Sequence, residues 1–297
     1  MQIELQGLTA RHPAARPAAA PALADLGLRI EPGEQVAVIG PSGAGKTTLL
    51  QVLGLSMQPV SGSLRLDGAD PWALSHRQRQ KLRGRLFLAP QVPPLPPRQR
   101  VVTSVLAGQL PTLSLLASLR SLFYPRDIGA AYEALQAFDA GDKLFERVDR
   151  LSGGERQRVG LARALVSPAR MWLVDEPLSA LDPARSRMAI ESVTGRARQA
   201  GITLVATLHQ VDVALAHFPR VIGLRDGRLA FDLPAQDVTQ ERLARLYEQF
   251  EHELRGQAPA GAAALGEGSD GRNGGGGAIG AAAAAAPATQ PVVMHCR

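Results

Sequence analysis

The segment Gly40-Pro41-Ser42-Gly43-Ala44-Gly45-Lys46-Thr47 follows the pattern G-x-x-x-x-G-K-[ST]. Its glycines let backbone N–H groups turn toward phosphate oxygens where a side chain would block the approach. Lys46 can reach the β and γ phosphates, and the Thr47 hydroxyl can ligate Mg²⁺. Thr48 continues into a helix whose positive end faces the same anion. A glycine turn between strand and helix can be merely structural, but here lysine and threonine fall in register. A second segment, 171–176 (MWLVDE), is an apolar run ending in Asp175 and Glu176. Two acids at a strand end are ordinarily solvated. In the same chain as a phosphate loop, the first can hold a Mg²⁺ shell and the second can orient and deprotonate water. A third segment, 151–157 (LSGGERQ), reads as a capping box, with Ser152 as N-cap and Glu155 three residues on. Gly153 and Gly154 in its first turn cost about 1 kcal/mol each relative to alanine. That cost makes sense if a phosphate must approach this helix end closely.

The elements needed to position these groups are legible around them. Residues 35–39 (QVAVI) are a buried-strand run before the phosphate loop, with a helical stretch reaching 55 after it. Residues 63–66, 171–174 and 202–208 are further strand candidates, the first closed by Asp67-Gly68. Asp182-Pro183 caps a helix that Gly201 can close. Residues 221–231 read as a hairpin turning at Asp226-Gly227. Asp237 and Gln240 have capping-box spacing, and Leu243, Leu246, Tyr247 and Phe250 make an apolar stripe. Alternating strands and helices give an α/β class with a mostly parallel sheet. Residues 91–150 interrupt that rhythm, first with the proline cluster PQVPPLPP and then with helical patterns, which suggests a helical insertion.

Length and composition frame the reading without deciding it. The 297 residues suffice for one large core, and 45% hydrophobic with 20% charged residues is an ordinary globular balance. The net charge of +6 suits proximity to anionic lipid, nucleotide or nucleic acid alike. The basic stretch 76–85 lacks the interleaved aromatics on which bases stack, so it reads as a solvated helix face rather than a nucleic-acid site. The single cysteine, Cys296, can form no internal disulfide. Residues 101–119 carry no formal charge, yet Gln109, Pro111 and several hydroxyl residues dilute them, and a membrane span is not expected there. No secretory signal is read at the start. From 256 onward the chain has no aromatic residue and reads as a disordered Gly/Ala-rich tail, with a marginal alanine helix as the alternative.

Taken together, LSGGERQ, the phosphate loop and the Asp175-Glu176 pair resemble the ABC ATPases, and the other elements of that family occur in order. Gln91 stands where its Q-loop glutamine stands, Ser179-Ala180-Leu181-Asp182 resembles its D-loop, and His209 its switch histidine. The resemblance implies a P-loop NTPase (RecA-like) core with an N-terminal antiparallel β-subdomain. It also implies an inserted helical subdomain at about 92–158, all within a domain 1–255 followed by the tail 256–297. It implies ATP and Mg²⁺ as cofactors. Residues 40–48 and Gln91 would bind the nucleotide, and Thr47, Gln91 and Asp175 would hold the metal. Glu176 would be the general base, and His209 would contact the γ phosphate. Ser152, Gly153, Gly154 and Asp182 would serve the nucleotide held by a second, head-to-tail copy. Where the family usually stacks an aromatic residue on adenine, His12 falls nearest.

Outside these motifs, residues 105–111, 119–123, 207–212 and 243–248 resemble the ATPase of phosphonate importers. The resemblance implies import of a phosphonate or phosphate ester, with permease subunits in the membrane and an indirect extracytoplasmic solute-binding protein. The chain would lie peripherally on the cytoplasmic face of the inner membrane and bind no nucleic acid. The prolines at 93, 94, 96 and 97 depart from that subfamily. Two other readings remain: an ATPase-like subunit of carbon–phosphorus bond cleavage, and a soluble non-transport ABC ATPase.

Overall fold

The computed structural model describes residues 1–12 and 20–248, apart from the side chains of Leu122 and Phe123. Phe250, Cys296 and the Gly/Ala-rich segment 256–297 lie outside the described residues.

Three strands, β1 (Ile3–Ala10), β2 (Leu23–Ile30) and β4 (Ser61–Leu66), form an antiparallel sheet in the order β2-β1-β4. Asp67 and Gly68 both adopt positive φ, 48° and 80°, as a tight turn after β4 requires. The second sheet holds β3 (Gln35–Ile39), β5 (Leu86–Ala89), β6 (Met171–Asp175) and β7 (Thr203–Thr207). It is completed by β8 (Arg220–Arg225) and β9 (Arg228–Pro234), in the order β5-β6-β7-β3-β8-β9. Only the β8–β9 hairpin, turning at Asp226-Gly227, is antiparallel.

The parallel strands are short and apolar because both faces are covered. Val36, Val38, Leu173 and Val205 face a core shared with the antiparallel sheet and α1 (Lys46–Leu53). Ala37, Ile39, Trp172, Val174 and Leu204 face the other core. Helices α3 (Val101–Leu106), α5 (Ile128–Gln136), α6 (Gly153–Leu165), α7 (Pro183–Gln199), α8 (Val211–His217) and α9 (Gln240–Leu246) supply its apolar partners. The expected basic helix is α2 (His76–Arg83), with Ser75 and Gln78 forming a capping box.

Two expectations need correction. The helix after the phosphate loop stops at Leu53, because Leu55 takes φ 58° after the Gly54 cap. Helix α9 is capped by Thr239, whose hydroxyl accepts the Arg242 N–H, and Asp237 belongs to a separate 3₁₀ turn. The uncharged stretch 101–119 is broken into α3, a 3₁₀ turn containing Pro111, and α4 (Leu115–Phe123). Among the described residues no helix is long and apolar enough to cross a membrane.

Candidate functional site

The carboxyl ends of β5, β6, β7 and β3 lie side by side, and each continues into one of the chemically marked segments. That edge is where open parallel sheets bind ligands. A cavity of about 370 Å³ opens there, lined by residues 42–48 together with Ala22, Gln91, Glu176 and His209. Groups scattered from Ser42 to His209 in sequence therefore share one site.

The phosphate loop owes its path to missing side chains. At Gly40, φ is 150°, and a Cβ would come within 2.1 Å of the Leu224 carbonyl oxygen. At Gly45, φ is 99°, and a Cβ would meet the Ala22 carbonyl oxygen at 2.4 Å. These contacts clamp the loop between β8 and the start of β2. The Lys46 side chain is buried and curls back, donating from Nζ to the Gly40 and Pro41 carbonyls at 2.7 and 3.2 Å. Such a lysine can exchange weak carbonyl acceptors for phosphate oxygens. Thr47 is exposed at the first turn of α1, with its neighbour Thr48 half-buried beside it.

Glu176 is the hub of the opposite wall. Gln91 Nε2 donates to its Oε2 at 2.7 Å, and His209 Nε2 lies 2.6 Å from its Oε1. Burial pushes the Glu176 carboxyl up, but the His209 hydrogen bond and the charges of His209 and Lys46 together outweigh it. The net effect holds the carboxyl below its ordinary value. It is therefore an ionised acceptor near neutral pH. Asp175 is buried, outside the cavity lining, and its Oδ1 accepts from the Thr207 hydroxyl at 2.6 Å. Thr207 was missed in the sequence. A threonine inside an apolar run looks like an ordinary β residue until strand pairing sets it opposite Asp175. Tyr247 was read as core stripe. It is buried, but its Oη also accepts the Gly40 N–H at 3.2 Å.

Other marked residues stand apart. Ser152 caps α6, accepting the Glu155 N–H while Glu155 Oε2 accepts the Ser152 N–H at 2.8 Å. Gly153 is exposed, and a Cβ there would meet nothing within 4 Å, whereas one at Gly154 would come within 2.8 Å of the Ala180 carbonyl. Asp182 is exposed and caps α7 through Arg185. None of these four lines the phosphate-loop cavity. Gln91 links the two regions, since it also lines a cavity of about 570 Å³ with Pro93, Gly153, Ser179 and Ala180. His12 is exposed and does not line the phosphate-loop cavity; Ala22 does.

The donor set suits magnesium. Thr47, Gln91 and Asp175 offer hydroxyl, amide and carboxylate oxygens. Among the described residues no group of three His, Cys, Asp or Glu side chains forms a cage. Magnesium is ordinarily held by one or two carboxylates with substrate phosphates and water.

Comparison with known proteins fits this geometry. The family model described as ABC transporter matches residues 23–179. A "Phosphonates import ATP-binding protein PhnC 2" of Albidiferax ferrireducens is 61% identical over 297 residues, covering 100% of both chains. A "Phosphonates import ATP-binding protein PhnC" of Polaromonas sp. is likewise 61% identical over 100% of both. Among solved structures, an ATP-binding cassette captured as a dimer with ADP and Pi after hydrolysis gives a TM-score of 0.66 at 25% identity. The match covers 80% of this chain and 100% of that one.

Proposed function

This chain belongs to the family of ABC transporter ATP-binding proteins, and we propose that it hydrolyses ATP to drive import of a phosphonate or phosphate ester. The observation that carries the ATPase reading is the convergence of the phosphate loop, Gln91, Glu176 and His209 around one cavity. The names of the relatives carry the substrate class and favour import over carbon–phosphorus cleavage or a non-transport role.

In this reading ATP lays its phosphates against the backbone N–H groups of residues 42–47, and Lys46 turns from its carbonyl partners to the β and γ phosphates. Glu176 takes the proton of the attacking water as oxygen bonds to the γ phosphorus, and ADP leaves with the former bridging oxygen. His209, paired with Glu176, stands beside the γ phosphate. Thr47, Asp175 and Gln91 would hold magnesium, which would supply positive charge to offset the negative charge developing on the phosphate oxygens. Ser152, Gly153 and Gly154 at the start of α6 close over the nucleotide of a second copy, and Asp182 serves that nucleotide too.

Coupling follows from Gln91. Its side chain holds Glu176, while the loop after it runs through exposed Val92 and the prolines. Leu115 and Leu116 of α4 are each 79% exposed, and an apolar surface of this kind suits permease subunits. An extracytoplasmic binding protein would select the solute, leaving this chain peripheral on the cytoplasmic face of the inner membrane. No nucleic-acid role is assigned. Trp72, beside the basic helix α2, is already covered by Arg79, whose guanidinium lies 5.0 Å from the ring centroid. Deleting the chain should abolish uptake of labelled phosphonate and growth on phosphonate as sole phosphorus source, with growth on inorganic phosphate retained. Undiminished uptake in the deletion strain would remove the substrate assignment and leave the ATPase standing.

A further inference from the structure

Thr207 ends β7 with no exposed surface, opposite Asp175 in the parallel register. Its hydroxyl donates to Asp175 Oδ1 at 2.6 Å and accepts the Glu176 backbone N–H at 2.9 Å. A hydroxyl has one proton to give and lone pairs to accept with, so one oxygen ties down two adjacent acids. The second tie matters because Glu176 sits at φ 46°, in the left-handed region. That conformation is unfavourable for a non-glycine residue and persists only where neighbours enforce it. The Thr207 carbonyl, 3.2 Å from the same N–H, adds a weaker hold. Along a strand, side chains alternate between faces. The enforced turn at Glu176 is what releases its carboxylate from that alternation toward Gln91 and His209.

We infer that Thr207 is a positioning residue for ATP hydrolysis, orienting the Asp175 carboxylate and fixing the backbone from which Glu176 reaches the cavity. It does not line the cavity and acts only through the two acids. The inference rests on the reading of Glu176 as general base.

The test compares full-length Thr207→Val, which removes the hydroxyl at similar shape, with Thr207→Ser, which keeps it. A hydrogen bond to a charged group controls about 10–100-fold in an equilibrium, so Thr207→Val should lower kcat by about that factor. The KM for ATP, and ATP affinity measured in chelator, should stay within about twofold of the parent, since the phosphate loop is untouched. Thr207→Ser should return kcat to within about threefold of the parent. In a Glu176→Gln background Thr207→Val should add less than about threefold, because residues acting as one unit are not additive. Parental kcat in Thr207→Val, a serine variant as slow as valine, or a fully multiplicative loss in the double variant would each overturn the inference. Should valine impair folding, seen as a lost thermal transition, Thr207→Ser against Thr207→Cys makes the same comparison, with serine expected to be the faster. Parental turnover in Glu176→Gln alone overturns the base reading and this inference with it. A slow Glu176→Gln beside a fast Thr207→Val overturns this inference alone.

Discussion

Replacing Glu176 by glutamine separates chemistry from structure at this site. The substitution keeps the shape of a side chain that Gln91 and His209 hold at 2.7 and 2.6 Å. The amide retains one acceptor oxygen. Gln91 can rotate its own amide to meet the new NH₂ group, so both partners can be satisfied. What disappears is the carboxylate. Loss of a general base lowers turnover by about 10²–10⁴, or about 2.7–5.5 kcal/mol of barrier. The structural effect is far smaller. The His209 side chain is 43% exposed, and a pair of that kind contributes about 0–1 kcal/mol to stability. The left-handed backbone at position 176 is no worse for glutamine than for glutamate. ATP affinity should stay within about twofold, because Lys46 and the loop amides do not change. Phosphate release measures turnover, and fluorescent nucleotide titration measures binding. Turnover within about threefold of the parent would refute the assignment of Glu176 as base.

Three further outcomes follow from the geometry. Lys46→Ala should weaken ATP binding in the monomer, whereas Ser152→Arg should leave monomer binding intact and block dimer formation and hydrolysis; equal loss of monomer binding in both would refute the two-copy site. Gly40→Ala places a Cβ within 2.1 Å of the Leu224 carbonyl at φ 150°, so the loop must shift; nucleotide titration should show at least about tenfold weaker binding and calorimetry a lower thermal midpoint. The Glu176 carboxyl, whose unfolded reference is 4.5, is lowered in the fold, so its stabilisation is present above that pH and is lost as pH falls through the lower folded value. Thermal melts of the parent and of Glu176→Gln should therefore differ most above pH 4.5 and converge in stronger acid.

Much of this site was legible in the sequence because its residues mark local backbone events. Gly40 and Gly45 are demanded by the loop itself, and Ser152 with Glu155 by a helix start, so their types carry the information without a partner. The strands flanking them were equally plain, since short apolar runs suit a sheet covered on both faces. Thr207 and Tyr247 were not legible in this way. Their roles exist only because strand order sets β7 against β6 and because Tyr247, at the end of α9, reaches the phosphate loop. Asp237 misled for the complementary reason. Its spacing to Gln240 met the pattern, but Thr239 captured the helix start at closer range.

Gly153 and Gly154 show how one motif can answer two demands. Both glycines, read as sequence, make room for a phosphate. In the fold Gly153 is exposed with open space around it, while Gly154 is half-buried and needed because the Ala180 carbonyl would lie 2.8 Å from a Cβ. The start of α6 is therefore fitted against the segment that leads into Asp182. A side chain at Gly154 would push that segment away before any nucleotide arrived. A similarly close fit occurs further along α6, where a Cβ at Gly160 would come within 2.6 Å of Pro93 in the loop after Gln91. Helix α6 thus touches the loop that holds Glu176 through Gln91 on one side and the segment before Asp182 on the other. At both places a glycine is required by close packing, against the Pro93 ring in one and the Ala180 carbonyl in the other, so any side chain there would force α6 away from its neighbour.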